Sequence, residues 1–283
     1  VKQNLIVFLI IAGVLCVVAG IYSVLKPNYS FTGEVRILKT WELPKSLKEV
    51  SGISHIDDSK LACIQDEKGL IYVYDLTLKS IVEQIQFGPR GDYEAIRIID
   101  STAYVMDSSG QLFRIKNFEL ESRQVEIFQT GFSKKHDIES FDINKTTGEI
   151  LTIPKENNLL STRDRFLIYK LNPTTFDIKE NYFTNLSYRD PIFKVDVSWF
   201  METNFFPSEL TIHPTTNEIY ILDSKTPRIL ILEPDGTPKK MHLLNPEKFQ
   251  QPEGLSFDSE GKIYISNEEG NFQKQNIQLI EFK

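Results

Sequence analysis

Residues 91–116 read GDYEAIRIIDSTAYVMDSSGQLFRIK, three short runs rich in Ile, Val, Tyr and Phe set apart by Asp, Ser and Gly. Runs of that length and composition are strands, and the residues between them are turn formers. The first run carries the phrase Glu94-Ala95-Ile96, a polar residue, a small one and then an apolar one. The phrase recurs as Ser51-Gly52-Ile53, Glu139-Ser140-Phe141 and Glu253-Gly254-Leu255, and in looser form as Ser208-Glu209-Leu210. Each copy is followed by a second strand with a polar end: LACIQDE at 61–67, AYVMDSSG at 103–110, EILTIPKE at 149–156, EIYILDS at 218–224 and KIYISNEEG at 262–270. In four of them a third strand follows, as in LIYVYDL, QLFRIKN, RFLIYKL and RILILEP.

The polar position of the phrase falls at 51, 94, 139, 208 and 253, so successive spacings are 43, 45, 69 and 45 residues. Several strands repeating every ~40–50 residues are the pattern of propeller blades. The fold class is therefore all-β, a five-bladed β-propeller over residues 28–283, with an insertion around 187–207 that accounts for the long spacing. The last unit is one strand short. The segment EVRILKTWEL at 34–43 precedes the first copy and can complete it, closing the ring and removing an open sheet edge. Six blades are the alternative, with 187–207 as a degenerate blade.

The chain has 283 residues, 32 Lys and Arg against 39 Asp and Glu, and a formal charge of −7. At 41% hydrophobic and 11% aromatic residues it can bury a large core, which excludes disordered and fibrous classes. A net negative chain without a Lys/Arg cluster lacks the charge that phosphate backbones require, so no nucleic acid is expected as a partner. Of two cysteines, Cys16 and Cys63, only Cys63 lies in the body, so no disulfide framework is possible. Cys63 reads as a small apolar residue of a buried strand.

From Gln3 to Leu25 there is no charge, and Leu5–Leu25 is long enough to cross a bilayer as a helix. A cleaved secretion signal has a shorter apolar region, of about 7–15 residues, so an uncleaved N-terminal transmembrane helix over residues 1–27 is favoured. Leu15 before Cys16 argues against a lipoprotein signal. The expected arrangement is a single-pass membrane protein with the propeller outside the cytoplasm, periplasmic or at the cell surface.

In a propeller the first strand of each blade lines the central channel, so Ser51, Glu94, Glu139, Ser208 and Glu253 fall on one ring at one end of it. Three converging carboxylates raise one another's pKa unless a counter-charge is present. A hard divalent cation supplies one, and calcium, with six to eight oxygen ligands in flexible geometry, suits Glu, Ser, carbonyls and water better than zinc does. The alternative is that each Glu pairs with a nearby Lys or Arg. A second set, Asp66, Glu67, Asp107, Asp223, Asn267 and Glu268, reads mainly as turn residues, as do Asp92 and Asp137. His136 is the histidine nearest the ring in sequence and the one candidate general base. The insertion holds Tyr188, Phe193, Trp199, Phe200, Phe205 and Phe206, a lid or partner surface or else a segment packed across one face. No G-x-S-x-G, H-E-x-x-H, P-loop or dinucleotide glycine motif is present.

Taken together, EVSGIS, ACIQDEKGLIYVYDL, GDYEAI, AYVMDSSGQLFRI, HDIESFDI and PEGLSFD resemble the SdiA-regulated family from about residue 45 to the end. The most specific parts are GDYEAI (91–96) and QDEKGLIYVYDL (65–76). The resemblance implies a five-bladed propeller tethered to the envelope, with bound calcium and no established reaction. It also implies a distant similarity to NHL-repeat propellers and metal-dependent lactonases, in which an acidic or amide residue before a glycine ligates the metal. Glu253 in Pro252-Glu253-Gly254 matches that position, Glu94 and Glu139 match it loosely, and Ser51 and Ser208 depart from it. Two functions follow as expectations: a calcium-binding envelope module that takes a protein or small-molecule ligand on one face, or a calcium-dependent hydrolase of lactonase, esterase or phytase type.

Overall fold

The computed structural model describes residues 11–17, 35–160, 164–193 and 205–283. Within them, β1 (Val35–Glu42) precedes five repeating units. The first is β2 (Val50–His55), β3 (Lys60–Gln65), β4 (Lys68–Asp75) and β5 (Ser80–Arg90). The second is β6 (Tyr93–Ile99), β7 (Thr102–Asp107), β8 (Gln111–Lys116) and β9 (Gln124–Gln129). The third is β10 (Ile138–Ile143), β11 (Ile150–Pro154), β12 (Arg165–Leu171) and β13 (Ile178–Ser187). The fourth is β14 (Pro207–Ile212), β15 (Ile219–Asp223), β16 (Arg228–Leu232) and β17 (Pro238–Leu243). The last is β18 (Pro252–Phe257), β19 (Ile263–Asn267) and β20 (Asn276–Phe282).

Each unit is a four-stranded antiparallel meander, and β1 is the fourth strand of the last, with Val35 opposite Phe282 and Trp41 opposite Ile277. The ring is thus closed by the first strand pairing with the last. Trp41 strengthens the closure by donating from Nε1 to the Leu76 carbonyl of the first blade at 2.7 Å. The strands β2, β6, β10, β14 and β18 neighbour one another around the axis, and β18 returns to β2. Five blades, not six, make up the described residues.

The sequence of the strands follows from this packing. Strands such as β11, β15 and β16 are buried along their whole length, because neighbouring blades cover both faces, and they read as mainly apolar runs, with the ion pair of Asp223 and Arg228 at the ends of β15 and β16. Outer strands such as β9 face solvent and carry Gln and Glu among their apolar residues. Five apolar clusters fill the five seams between blades; Ile64, Ile71, Phe87, Ile96, Val105 and Phe113, for example, fill the seam between the first and second. Cys63 is buried in the seam where the last blade meets the first, and burial pushes its thiol up in pKa, so it is an inert packing group.

The insertion is not a blade. Pro191–Phe193 form a single 3₁₀ turn, and Phe193 and Phe205 are buried against Phe166, with ring centroids 6.0 and 5.5 Å away. These ends pack across the third and fourth blades. Trp199 and Phe200 lie outside the described residues. Residues 11–17 are helical, and no helix among the described residues is long and apolar enough to cross a membrane. The rest of the apolar run Leu5–Leu25 lies outside the described residues.

Candidate functional site

In every blade the pairing of the inner strand with its neighbour slips at the repeated phrase. The shifts fall between Val50 and Ile53, Tyr93 and Ala95, Ile138 and Ser140, Pro207 and Glu209, and Pro252 and Leu255. A bulge of this kind frees one residue from the ladder and re-aims its side chain. The freed positions include Ser51, Glu94, Glu139, Ser208 and Glu253, which occupy equivalent places around one mouth of the channel.

The two serines tie blades together. Ser51 Oγ donates to the Tyr93 carbonyl at 2.7 Å and Ser208 Oγ to the Pro252 carbonyl at 3.0 Å, each reaching the residue just before the ring position of the next blade. Their hydroxyl hydrogens are committed to the fold, leaving only oxygen lone pairs toward the channel.

The three glutamates share one cation. Lys155, just past the end of β11, places Nζ 2.5 Å from both carboxylate oxygens of Glu139. Burial works against the ammonium, but Glu253 and Glu139 outweigh it and hold Lys155 charged. Burial pushes Glu139 up to about 7, with Lys155 opposing the shift. Burial and then the Glu139 charge raise Glu94 and Glu253 well above the ordinary carboxylate range. Glu268, at the polar end of the last blade, is pushed up to about 7 by burial and by Asp66 and Glu49. The mouth is therefore an acid-rich site that, among the described residues, holds the half-buried ammonium of Lys155. Sequence reading missed Lys155, although it lies in the polar end of EILTIPKE; its only signal is the repeat register, which puts that end at the same mouth as the phrase.

Deeper along the axis, a charged plug crosses the channel. Arg97 Nη2 lies 2.7 Å from Glu209, its Nε lies 3.1 Å from Asp142, and Nη2 also donates to the Leu210 carbonyl at 2.5 Å. All three side chains are buried. Asp142 in turn accepts from Thr211 Oγ1 at 3.0 Å and from the Ile212 backbone at 2.7 Å. Beyond the plug the opposite mouth opens into a cavity of about 180 Å³ lined by His55, Arg97, Lys145, Thr211, His213 and Asp258. The two mouths are chemically separate, one acidic and one mixed.

The sequence profile of the SdiA-regulated family matches residues 23–274, nearly the whole chain. The chain belongs to the SdiA-regulated family. No curated protein matches it in sequence. Among solved structures, it is similar to the glutaminyl cyclase of Myxococcus xanthus, at 11% identity over 88% of this chain and 97% of that one, with a TM-score of 0.57. It is also similar to the PQQ-bound aldose sugar dehydrogenase of Streptomyces coelicolor, at 8% identity over 88% of this chain and 98% of that one, with a TM-score of 0.54. At such identities the likeness is one of fold alone.

In this SdiA-regulated propeller most of the second set of polar residues serves turns and surface pairs. Asp107 and Asp223 accept backbone N–H groups of the loops that follow them, and Asp223 also pairs with Arg228 at 2.8 Å. Glu67 pairs with Arg90, and Asp92 accepts from Ser108. Asp137 takes up the left-handed φ of 55° in the loop before β10. Asn267 bonds Asn276 across the last blade. His136 is a loop brace: its Nδ1 accepts from the Ser133 backbone at 2.9 Å, and its ring packs on Phe132. With the ring buried at 3% exposure, it is poorly placed to take a proton from a substrate.

Proposed function

We propose that this family member is a membrane-tethered binding propeller of the cell envelope, carried outside the cytoplasm, that takes a hard divalent cation, calcium, at its glutamate mouth. A protein or small-molecule ligand would then bind the loaded face. The observation that supports this is the placement of Glu94, Glu139 and Glu253 at equivalent bulges of three blades, where burial and mutual repulsion raise their pKa values and Lys155, half-buried, is the cation that opposes the shift. Clustered like charge held against its own repulsion marks sites built for a ligand.

The residues fit calcium in donor chemistry and in charge, being all oxygen and net negative. They are not gathered in ligating positions: among the described residues no group of three His, Cys, Asp or Glu side chains is arranged to hold a metal. Lys155 holds Glu139, and that ion pair has to open for the three carboxylates to act together. Glu94, Glu139 and Glu253 would then hold the ion, with the oxygen lone pairs of Ser51 and Ser208 on the same ring. What calcium supplies is the positive charge that lets all three carboxylates ionise.

The test is metal content and thermal melting of the full chain with and without calcium, beside a Glu94→Gln, Glu139→Gln, Glu253→Gln variant. A ligand that binds only the folded state raises its stability by about 2.7 kcal/mol at a hundred times its Kd. Wild type should gain several degrees in Tm and the triple variant none. Equal indifference of both proteins to calcium would remove the reading.

A further inference from the structure

Strand β1 begins on the side of the propeller away from the glutamates. Pro252, Asn267, Asn276 and Glu42 are paired side by side across the last blade, at the level of the glutamate mouth. Phe257, Ile263, Ile280 and Ile37 are paired side by side toward the other end of the same four strands, where Val35 stands opposite Phe282. The chain therefore enters β1 on the face that carries the His55-to-Lys60 hairpin and the cavity behind Arg97, and not at the mouth formed by Glu94, Glu139 and Glu253.

Length then decides orientation. From Leu25, the last residue of the apolar run, to Val35 is ten residues, which reach at most about 35 Å however they are arranged. Presenting the glutamate mouth to the bilayer would require the tether to run back along all eight residues of β1, about 27 Å at ~3.4 Å per residue. It would also have to pass the loops that stand beyond β1 on that face, where Phe272 is 94% exposed. Almost no slack would remain. The opposite arrangement uses none of that length.

We propose that the propeller is held with its cavity-bearing mouth, lined by His55, Lys145 and Asp258, toward the membrane and its glutamate mouth facing the aqueous compartment. The inference rests on the reading of Leu5–Leu25 as a membrane span. It separates the two mouths by partner. Soluble ligands and proteins meet the glutamates first, whereas the cavity is open to molecules at the lipid headgroup level.

The test uses the full chain in liposomes, in a Cys16→Ala background in which Cys63 is buried and unreactive. A nitroxide is attached at Glu260→Cys on the cavity face or at Lys134→Cys on the glutamate face, both exposed positions. Lipids with nickel-chelating headgroups then report proximity to the bilayer. Broadening should be several-fold greater at position 260 than at 134, and a spacer of about 30 Gly/Ser residues after Pro27, which adds ~30 Å of mean reach, should erase the difference. Equal or reversed broadening, or a difference that survives the spacer, overturns the orientation. Flotation is read on the same samples: a chain that does not float with liposomes overturns the membrane span, and the orientation falls with it. A chain that floats without the asymmetry leaves the span standing and removes only the orientation.

Discussion

Lys155 Nζ sits 2.5 Å from the Glu139 carboxylate, joining the end of a second strand to the bulge of the inner strand it pairs with. The ammonium and the carboxylate are 15% and 11% exposed, so neither is well solvated. Removing one partner of such a pair leaves the other uncompensated, which costs about 3 kcal/mol or more. Lys155→Met should therefore lower the urea midpoint at pH 8 in the presence of chelator. The same variant should gain more from calcium than wild type does, since Glu139 no longer has an internal cation to give up. An unchanged midpoint would mean that the pair contributes nothing to the fold.

The pH dependence follows from the same carboxylates. Glu139 and Glu268 are pushed up to about 7, and Glu94 and Glu253 are raised well above their ordinary range, all chiefly by burial. A carboxyl whose pKa is higher folded than unfolded binds more protons in the native state, so its contribution is present below about 4.5 and lost as pH rises toward 7. His55 acts in the opposite sense. Burial lowers it to about 4, so its contribution is present above about 6.5 and is lost as pH falls. Glu209, which burial pushes up to about 8, adds a fifth such carboxyl, and the five outweigh the imidazoles of His55, His136 and His213, all lowered by burial. Chelator-treated protein should melt several degrees higher at pH 5 than at pH 8, at about 2–4 °C per kcal/mol. The Glu94→Gln, Glu139→Gln, Glu253→Gln variant should lose a large part of that slope, Glu268 and Glu209 keeping the rest, and a slope retained in full would assign it elsewhere.

The blade count, the closing strand and the ring register were legible because they are periodic. The phrase around Glu94 recurs once per blade, and EVRILKTWEL has no blade of its own to join. The plug was not legible, because Arg97, Asp142 and Glu209 come from three blades and do not share one register position: Glu209 sits one residue beyond the ring place that Ser208 fills. Lys155 was missed for a related reason, since it is a single cation at a place where the other blades carry Asp66, Ser108, Ser224 and Glu268. The roles of Ser51 and Ser208 as ties to Tyr93 and Pro252 depend on the separation of neighbouring blades, which no local pattern encodes. Apolar periodicity is set by every residue of a strand, whereas a polar network is set by a few side chains brought together from afar.

Arg97 offers a sharper test of the plug. Arg97→Met would leave Glu209 and Asp142 facing each other in the channel without their cation, and Glu209 already stands at about 8 through burial, with Arg97 as the chief opposing influence. The expected loss is about 3–5 kcal/mol in urea unfolding. Adding Glu209→Gln and Asp142→Asn should return much of it, because neutral amides tolerate the lost charge. If the triple variant is no more stable than Arg97→Met alone, the ion pairs are not the reason the arginine matters.

Gly52 connects blade packing to the glutamate mouth. A Cβ there would lie 2.9 Å from the Glu94 carbonyl oxygen, 3.0 Å from Ile96 N and 3.1 Å from Ala95 Cα, all backbone of β6. Backbone in a paired strand yields less readily than a flexible side chain, so Gly52→Ala must separate β2 from β6. That movement strains the Ser51–Tyr93 bond and the 2.9 Å bond from Ile98 N to Ser54 Oγ, and overpacking of this kind costs about 1–3 kcal/mol. Gly148→Ala is the control. Gly148 has open space around it and a φ of +70°, so an alanine there meets only backbone strain of about 1–2 kcal/mol. The two variants can thus lose similar stability for different reasons. Since the methyl at position 52 presses on the residue that carries the Glu94 carboxylate, Gly52→Ala should also blunt the calcium-induced rise in Tm, while Gly148→Ala should retain the full rise. Equal calcium responses in the two would show that the mouth is insulated from the seam beside it.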